Sequence, residues 1–103
     1  MYEDKYDEVI AKIKEVYPQL KDVEFDIADG ELGYRDNSSI EVNIAELQLF
    51  VNEFLNQKVF RVTLTSYVIV YARNEHEAIE FAKRIKPNSF LYKPIETDEK
   101  RII

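Results

Sequence analysis

Five carboxylates crowd one ten-residue stretch of the chain: Asp22, Glu24, Asp26, Asp29 and Glu31. Acids so closely spaced suit three chemistries. Two of them could share glycoside hydrolysis, one as acid and the other as base or nucleophile. Several near a glycine could ligate calcium, but calcium loops need an Asp-x-Asp-x-Asp-Gly spacing and a distal bidentate Glu, and both are missing around Gly30. The third chemistry is recognition. Alternation along a strand places Asp22, Glu24 and Asp26 on one face, with Asp29 and Glu31 at its tip. Such a row is either the solvated side of a strand or an acidic surface offered to a basic partner.

A second set mixes cations with phenols: Arg61, Tyr67, Tyr71 and Arg73, with Tyr92 and Lys93 further on. Arg and Tyr on one face can stack single-stranded bases, and they also dominate protein-binding hot spots. Burial of the tyrosines under a helix is the third reading. His76, the only imidazole, has Glu75 and Glu77 beside it but no second His or Cys to complete a metal set. It also lacks an evident nucleophile or orienting group, so it reads as a surface histidine. The polar run Asp36, Asn37, Ser38, Ser39 reads as a turn, without the strand-turn-helix elbow that activates a serine. With no cysteine, disulfides, thiolate zinc sites, iron–sulfur clusters and cysteine nucleophiles are excluded together. The sequence assigns no catalytic residue, no metal set and no cofactor.

Charge divides unevenly. Residues 1–57 carry fourteen carboxylates against five cations, a net of −9, and residues 58–103 carry nine cations against six carboxylates, a net of +3. Part of this is ordinary capping, acids at helix starts and bases at helix ends. What survives that subtraction is the acidic stretch above. The overall charge of −6 argues against direct nucleic-acid binding, which needs a cationic surface to release counterions.

Length and composition frame the rest. A chain of 103 residues with 46% apolar and 13% aromatic side chains has enough for one core, so a single domain over residues 1–94 with a charged tail at 95–103 is expected. Residues 1–7 are acidic with no apolar segment after them, and the longest strongly apolar run, 67–72, is far too short to span a bilayer. A cytoplasmic protein with no membrane association is the expectation.

The elements that must position these residues follow from periodicity. Tyr6, Val9, Ile10, Ile13, Val16 and Tyr17 recur at helical spacing, predicting a helix over 3–16 that Pro18 stops. Val23, Phe25 and Ile27 alternate with acids as in a half-buried strand, and Asp29-Gly30 turns it into a return strand over 31–35. A third short strand is expected at 40–42. Asn43 with Glu46 opens a helix bearing Leu47, Phe50, Val51 and Phe54, and Asn74 with Glu77 opens another bearing Ala78, Phe81, Ala82 and Ile85, ended by Pro87. Between them, 59–72 reads as strand throughout. A tight hairpin at Thr65-Ser66 lacks the usual Gly or Asn, so one long strand, bulged there, is preferred to a hairpin. Residues 90–92 suggest a last edge strand bounded by Pro94. The order α-β-β-β-α-β-α, with an optional final strand, predicts an α+β fold around a mainly antiparallel sheet.

The segment 60–82, strand followed by an Asn-x-x-Glu-Ala-Ile-x-x-Ala helix from Asn74 to Ala82, resembles segments of small accessory proteins of bacteriophages and mobile elements. It covers about a quarter of the chain and carries packing residues only, so no functional residue transfers. The resemblance implies a compact module that works by binding another protein. The leading expectation is therefore a non-enzymatic interaction protein presenting its acidic stretch to a basic partner. If that partner binds nucleic acid, the carboxylates would occupy its phosphate sites and inhibit it. Self-assembly of the acidic half of one copy on the basic half of another is the second expectation, and a small ligand-binding or enzymatic domain the third.

Overall fold

A computed structural model describes residues 2–35 and 41–97. The first helix, α1 (Tyr2–Val16), buries Val9 and Ile13, one turn apart, completely. Pro18 ends it by steric restriction of Tyr17, which leaves the helical region at φ −122°, and a short 3₁₀ turn, Pro18–Leu20, follows. Strands β1 (Glu24–Ala28) and β2 (Glu31–Arg35) then pair antiparallel, Glu24 opposite Arg35 and Ala28 opposite Glu31. Only Asp29 and Gly30 are left to turn the chain, with φ of 49° and 77°. Two positive φ values in succession match the twist of the flanking strands, which is why Asp-Gly serves here.

Helix α2 (Ile44–Phe54) starts where Asn43 accepts the Glu46 backbone N–H at 3.2 Å, while the Asn43 amide donates to the Glu46 carboxylate at 3.4 Å. This is a capping box with Asn in the place of Ser or Thr, except that the return bond to Glu46 comes from the Asn43 side-chain amide rather than its backbone N–H. Past the C-cap Leu55, Asn56 adopts φ 55°, the left-handed conformation that commonly closes a helix. The chain divides there into two compact units, Met1–Leu55 and Asn56–Ile103. The first has its own apolar cluster of Val9, Ile13, Leu20, Val23, Leu32, Leu47, Val51 and Leu55.

In the second unit, β3 (Lys58–Thr63) is the centre of a three-stranded antiparallel sheet, flanked by β4 (Tyr67–Ala72) and β5 (Lys93–Glu96). Helix α3 (Glu75–Ile85), capped by Asn74 through the Glu77 N–H at 2.9 Å, packs on one face of it. Phe60, Val62, Val70 and Ala72 from the sheet and Ala78, Phe81 and Ala82 from the helix form its cluster. Each aromatic there contributes roughly 1.5–3 kcal/mol by leaving water.

The fold class is α+β, as expected, with every strand pair antiparallel. Four expectations change. Residues 59–72 do not run as one strand: Thr63 pairs with Tyr67, and Leu64, Thr65 and Ser66 form a three-residue loop closed by the Leu64 N–H donating to the Ser66 carbonyl at 2.9 Å. A three-residue loop does not need the Gly or Asn of a two-residue turn, so the sequence lacked the expected signal. Because opposed residues then sum to an even number, even positions still face even positions. The buried face therefore survives although the strand does not. Second, Glu41 and Val42 belong to no strand, while Ile40 and the turn at 36–39 lie outside the described residues. Third, the last strand is Lys93–Glu96 rather than 90–92. Pro94 sits within it because an edge strand can spare one donor. Residues 95–97, expected in the charged tail, belong to the sheet edge, since Ile95 pairs with Arg61 and the Thr97 N–H reaches the Val59 carbonyl at 2.9 Å, and the rest of that tail lies outside the described residues. Fourth, the buried side chains gather in two clusters, where composition pointed to one core.

Candidate functional site

The β1–β2 ribbon sorts the five acids. Pairing places Glu24, Asp26 and Ala28 on the same face as Glu31, Gly33 and Arg35, and Glu24, Asp26 and Glu31 are exposed. On the opposite face Leu32 joins the apolar cluster and Phe25 and Ile27 pack against it, while Tyr34 stays exposed with its ring 6.4 Å from that of Phe25. Asp22 is exposed but precedes the strand, so alternation does not fix its side. Asp29 is half-buried in the turn. Three of the five acids thus form one face, with Arg35 opposite Glu24 as the cation at its end.

That face is held by groups the sequence reading passed over. The buried Gln48 side chain donates to the Gly30 carbonyl at 3.0 Å and accepts the Leu32 N–H at 2.8 Å, as a neighbouring strand would. Its amide also donates to the Asn52 side chain at 2.8 Å, one helical turn on, and Asn52 is equally buried. From α1, the Tyr6 hydroxyl accepts the Gly30 N–H at 3.1 Å. The turn that carries Asp29 and Glu31 is therefore fixed from two helices. A buried amide left unmade would cost about 1–3 kcal/mol, which gives this geometry its selectivity. The signal was present: Gln48 and Asn52 stand four residues apart beside the apolar stripe Leu47, Val51, Leu55. Polar residues at buried helical positions need partners.

Gly33 adds a local detail. A β-carbon there would lie 3.1 Å from the Asp26 Oδ1, so the absence of a side chain lets the Asp26 carboxylate lie close over the ribbon.

The second candidate set is dispersed by the sheet. Arg61 and Tyr67 share the face opposite α3, and the guanidinium sits 5.1 Å from the ring centroid, a cation–π contact worth about 0.5–1 kcal/mol when exposed. Tyr71 is buried at 8% exposure, and burial raises its phenol above the ordinary pKa of 10.0. Arg73 is committed to its own helix start: its Nη2 lies 2.9 Å and its Nε 3.2 Å from the Glu77 Oε2, while its backbone N–H donates to the other Glu77 oxygen at 2.9 Å. Of the four, only Arg61 and Tyr67 are brought together as a surface pair.

His76 lies at the surface on the first turn of α3, its Nε2 3.3 Å from Glu80. Among the described residues no group of three or more His, Asp or Glu side chains is arranged to hold a metal ion, and no helix is long and apolar enough to cross a membrane. No protein-family model matches the chain, and neither a curated protein nor a solved structure is significantly similar to it.

Proposed function

We propose that this protein is a non-enzymatic interaction module whose β1–β2 ribbon presents Glu24, Asp26 and Glu31, with Asp22 and Asp29 at the margins, to a basic protein partner. The observation that carries this reading is the pre-set acidic face: three exposed carboxylates on a hairpin whose turn is fixed by Gln48 and Tyr6. A ribbon fixed before binding loses little conformational freedom when it docks. Its charge steers a basic partner at long range and sets the register at contact. Where that partner binds nucleic acid, the row of carboxylates takes the place of phosphates and the module acts as an inhibitor.

Affinity capture from cell extract tests this, comparing wild type with a variant carrying Glu24→Lys, Asp26→Lys and Glu31→Lys. Wild type should retain a basic protein that is released by salt, and the variant should lose it. Equal retention by both sinks the proposal.

A further inference from the structure

The second unit displays apolar side chains that nothing in its own packing covers. Phe90 is fully exposed at 108%, Leu91 at 55% and Ile85 at 48%. They cluster around the end of α3 and the loop after it, and that loop is built rather than slack. The Tyr92 hydroxyl donates to the Lys86 carbonyl and accepts the Ser89 N–H at 3.3 Å, closing residues 86–92 into a tight loop. Lys83 lies 5.8 Å above the Tyr92 ring, and the ring itself packs against the apolar cluster. Phe90 and Leu91 are thus held out on a fastened tip.

The chain flanking the tip has one sign between Glu80 and Glu96. Residues 81–95 include Lys83, Arg84, Lys86 and Lys93 and no carboxylate. Lys83 and Arg84 are accounted for in part by the helix C-terminus, where cations are favoured, but Lys86 and Lys93 lie beyond α3. An exposed aromatic flanked along the chain by cations is the make-up of a binding hot spot with an acidic counterpart.

We infer that this tip docks on the acidic unit of a second copy of the chain, joining copies head to tail. Charge complementarity selects that occupant: the same chain carries a unit of net −9, with exposed apolar groups of its own at Val16, Leu49 and Phe54. Pairing of two tips is disfavoured because each brings the same positive charge. The contact is heterologous, so an open assembly of any length still offers one free tip at one end and one free acidic surface at the other, and growth continues until a ring closes. The inference rests on the acidic surface of the proposed function and adds both the tip and the identity of one partner.

Sedimentation of the full chain tests it, between about 10 mM and about 1 M salt, a range that shortens the Debye length from about 30 Å to about 3 Å. At low salt the average mass should climb with concentration from the 12.2 kDa monomer past the dimer, and high salt should reverse this. A variant with Phe90→Ser and Leu91→Ser should need about tenfold more protein to assemble. Lys86→Glu with Lys93→Glu should do the same, giving a second route if the first variant folds poorly. Both should still capture the basic partner through the ribbon, which separates failure of this inference from failure of the earlier one. A wild type that stays monomeric at low salt overturns the inference, as does assembly undiminished in both variants. Assembly strengthened by salt overturns it in favour of tip-to-tip pairing. A monomer that instead cosediments with phosphatidylserine vesicles overturns it in favour of a lipid surface.

Discussion

The first unit ties its hairpin to α2 through the Gln48 side-chain amide, whereas the second lays its hairpin on α3 through Phe60, Val62, Val70 and Phe81. Both units use the same local parts, an antiparallel hairpin followed by a helix with an Asn cap. The difference lies in what is added to packing: Leu32, Phe25 and Ile27 of the first hairpin also meet an apolar cluster, but its turn is fixed to α2 by hydrogen bonds. Hydrogen bonds are directional and set geometry, while apolar area is non-directional and supplies more free energy. The ribbon has only five residues per strand, and its inner face offers four side chains. A polar tie fixes that small element without adding area, and it leaves the outer face free to be acidic. The longer hairpin, joined by β5, has area enough to be fixed by packing.

The largest expected effect tests the apolar side of this contrast. Phe81, 5% exposed, is a large side chain of the second cluster. Phe81→Ala should cost about 3–5 kcal/mol, against a total stability of about 5–15 kcal/mol for such domains. Urea unfolding measures it, and a cost below about 1 kcal/mol would mean that the sheet is fixed by something other than this cluster.

Gln48→Leu comes next, at about 1–3 kcal/mol, because it keeps the volume but removes the acceptor of the Leu32 N–H and a donor to the Gly30 carbonyl. The same variant should speed hydrogen exchange at the Leu32 amide. If unfolding midpoint and Leu32 exchange are both unchanged, the ribbon is not held by the amide and the comparison between the units breaks.

The Asn caps give a smaller and paired effect. The α3 cap is the shorter, 2.9 Å against 3.2 Å, and its Glu77 also grips Arg73. Asn74→Ala should therefore cost about 1 kcal/mol and Asn43→Ala about half of that. Thermal melts of the two variants rank them, and a larger loss at Asn43 reverses the expected order.

These caps mark where the sequence was legible. Each is a contact between residues three apart, so type and spacing reveal it, as they do Asp29-Gly30 and the buried pair Val9 and Ile13. The hairpin over 58–72 was hidden because a three-residue loop of Leu, Thr and Ser carries no positive-φ signature, yet its even-to-even pairing kept the predicted face. The acidic row was readable at Glu24 and Asp26 from strand alternation, while Glu31, read only as part of the tip, joins their face through the pairing of the strands. Its support was not: Gln48 reaches residues 16 and 18 positions away, and Tyr6 reaches one 24 positions away. Tyr71 is buried and Arg73, though exposed, is paired with Glu77, and neither was legible, since alternation assigns a face of a sheet but not what covers it or which neighbour claims a charge.

Gly33→Ala should have the smallest effect on stability and thereby isolates the acidic face from the scaffold. Gly33 is not among the positive-φ glycines, so alanine meets no backbone penalty, and reduced freedom of the unfolded chain favours it. Against that, the new β-carbon would lie 3.1 Å from the Asp26 Oδ1, closer than most such contacts. Asp26 is exposed and can swing aside, so the two effects nearly cancel and the change in urea stability should stay within about 0.5 kcal/mol. The displaced carboxylate should nonetheless weaken capture of the basic partner. Loss of stability with capture intact would show instead that Asp26 and Gly33 serve the ribbon's fold and that recognition lies with Glu24 and Glu31.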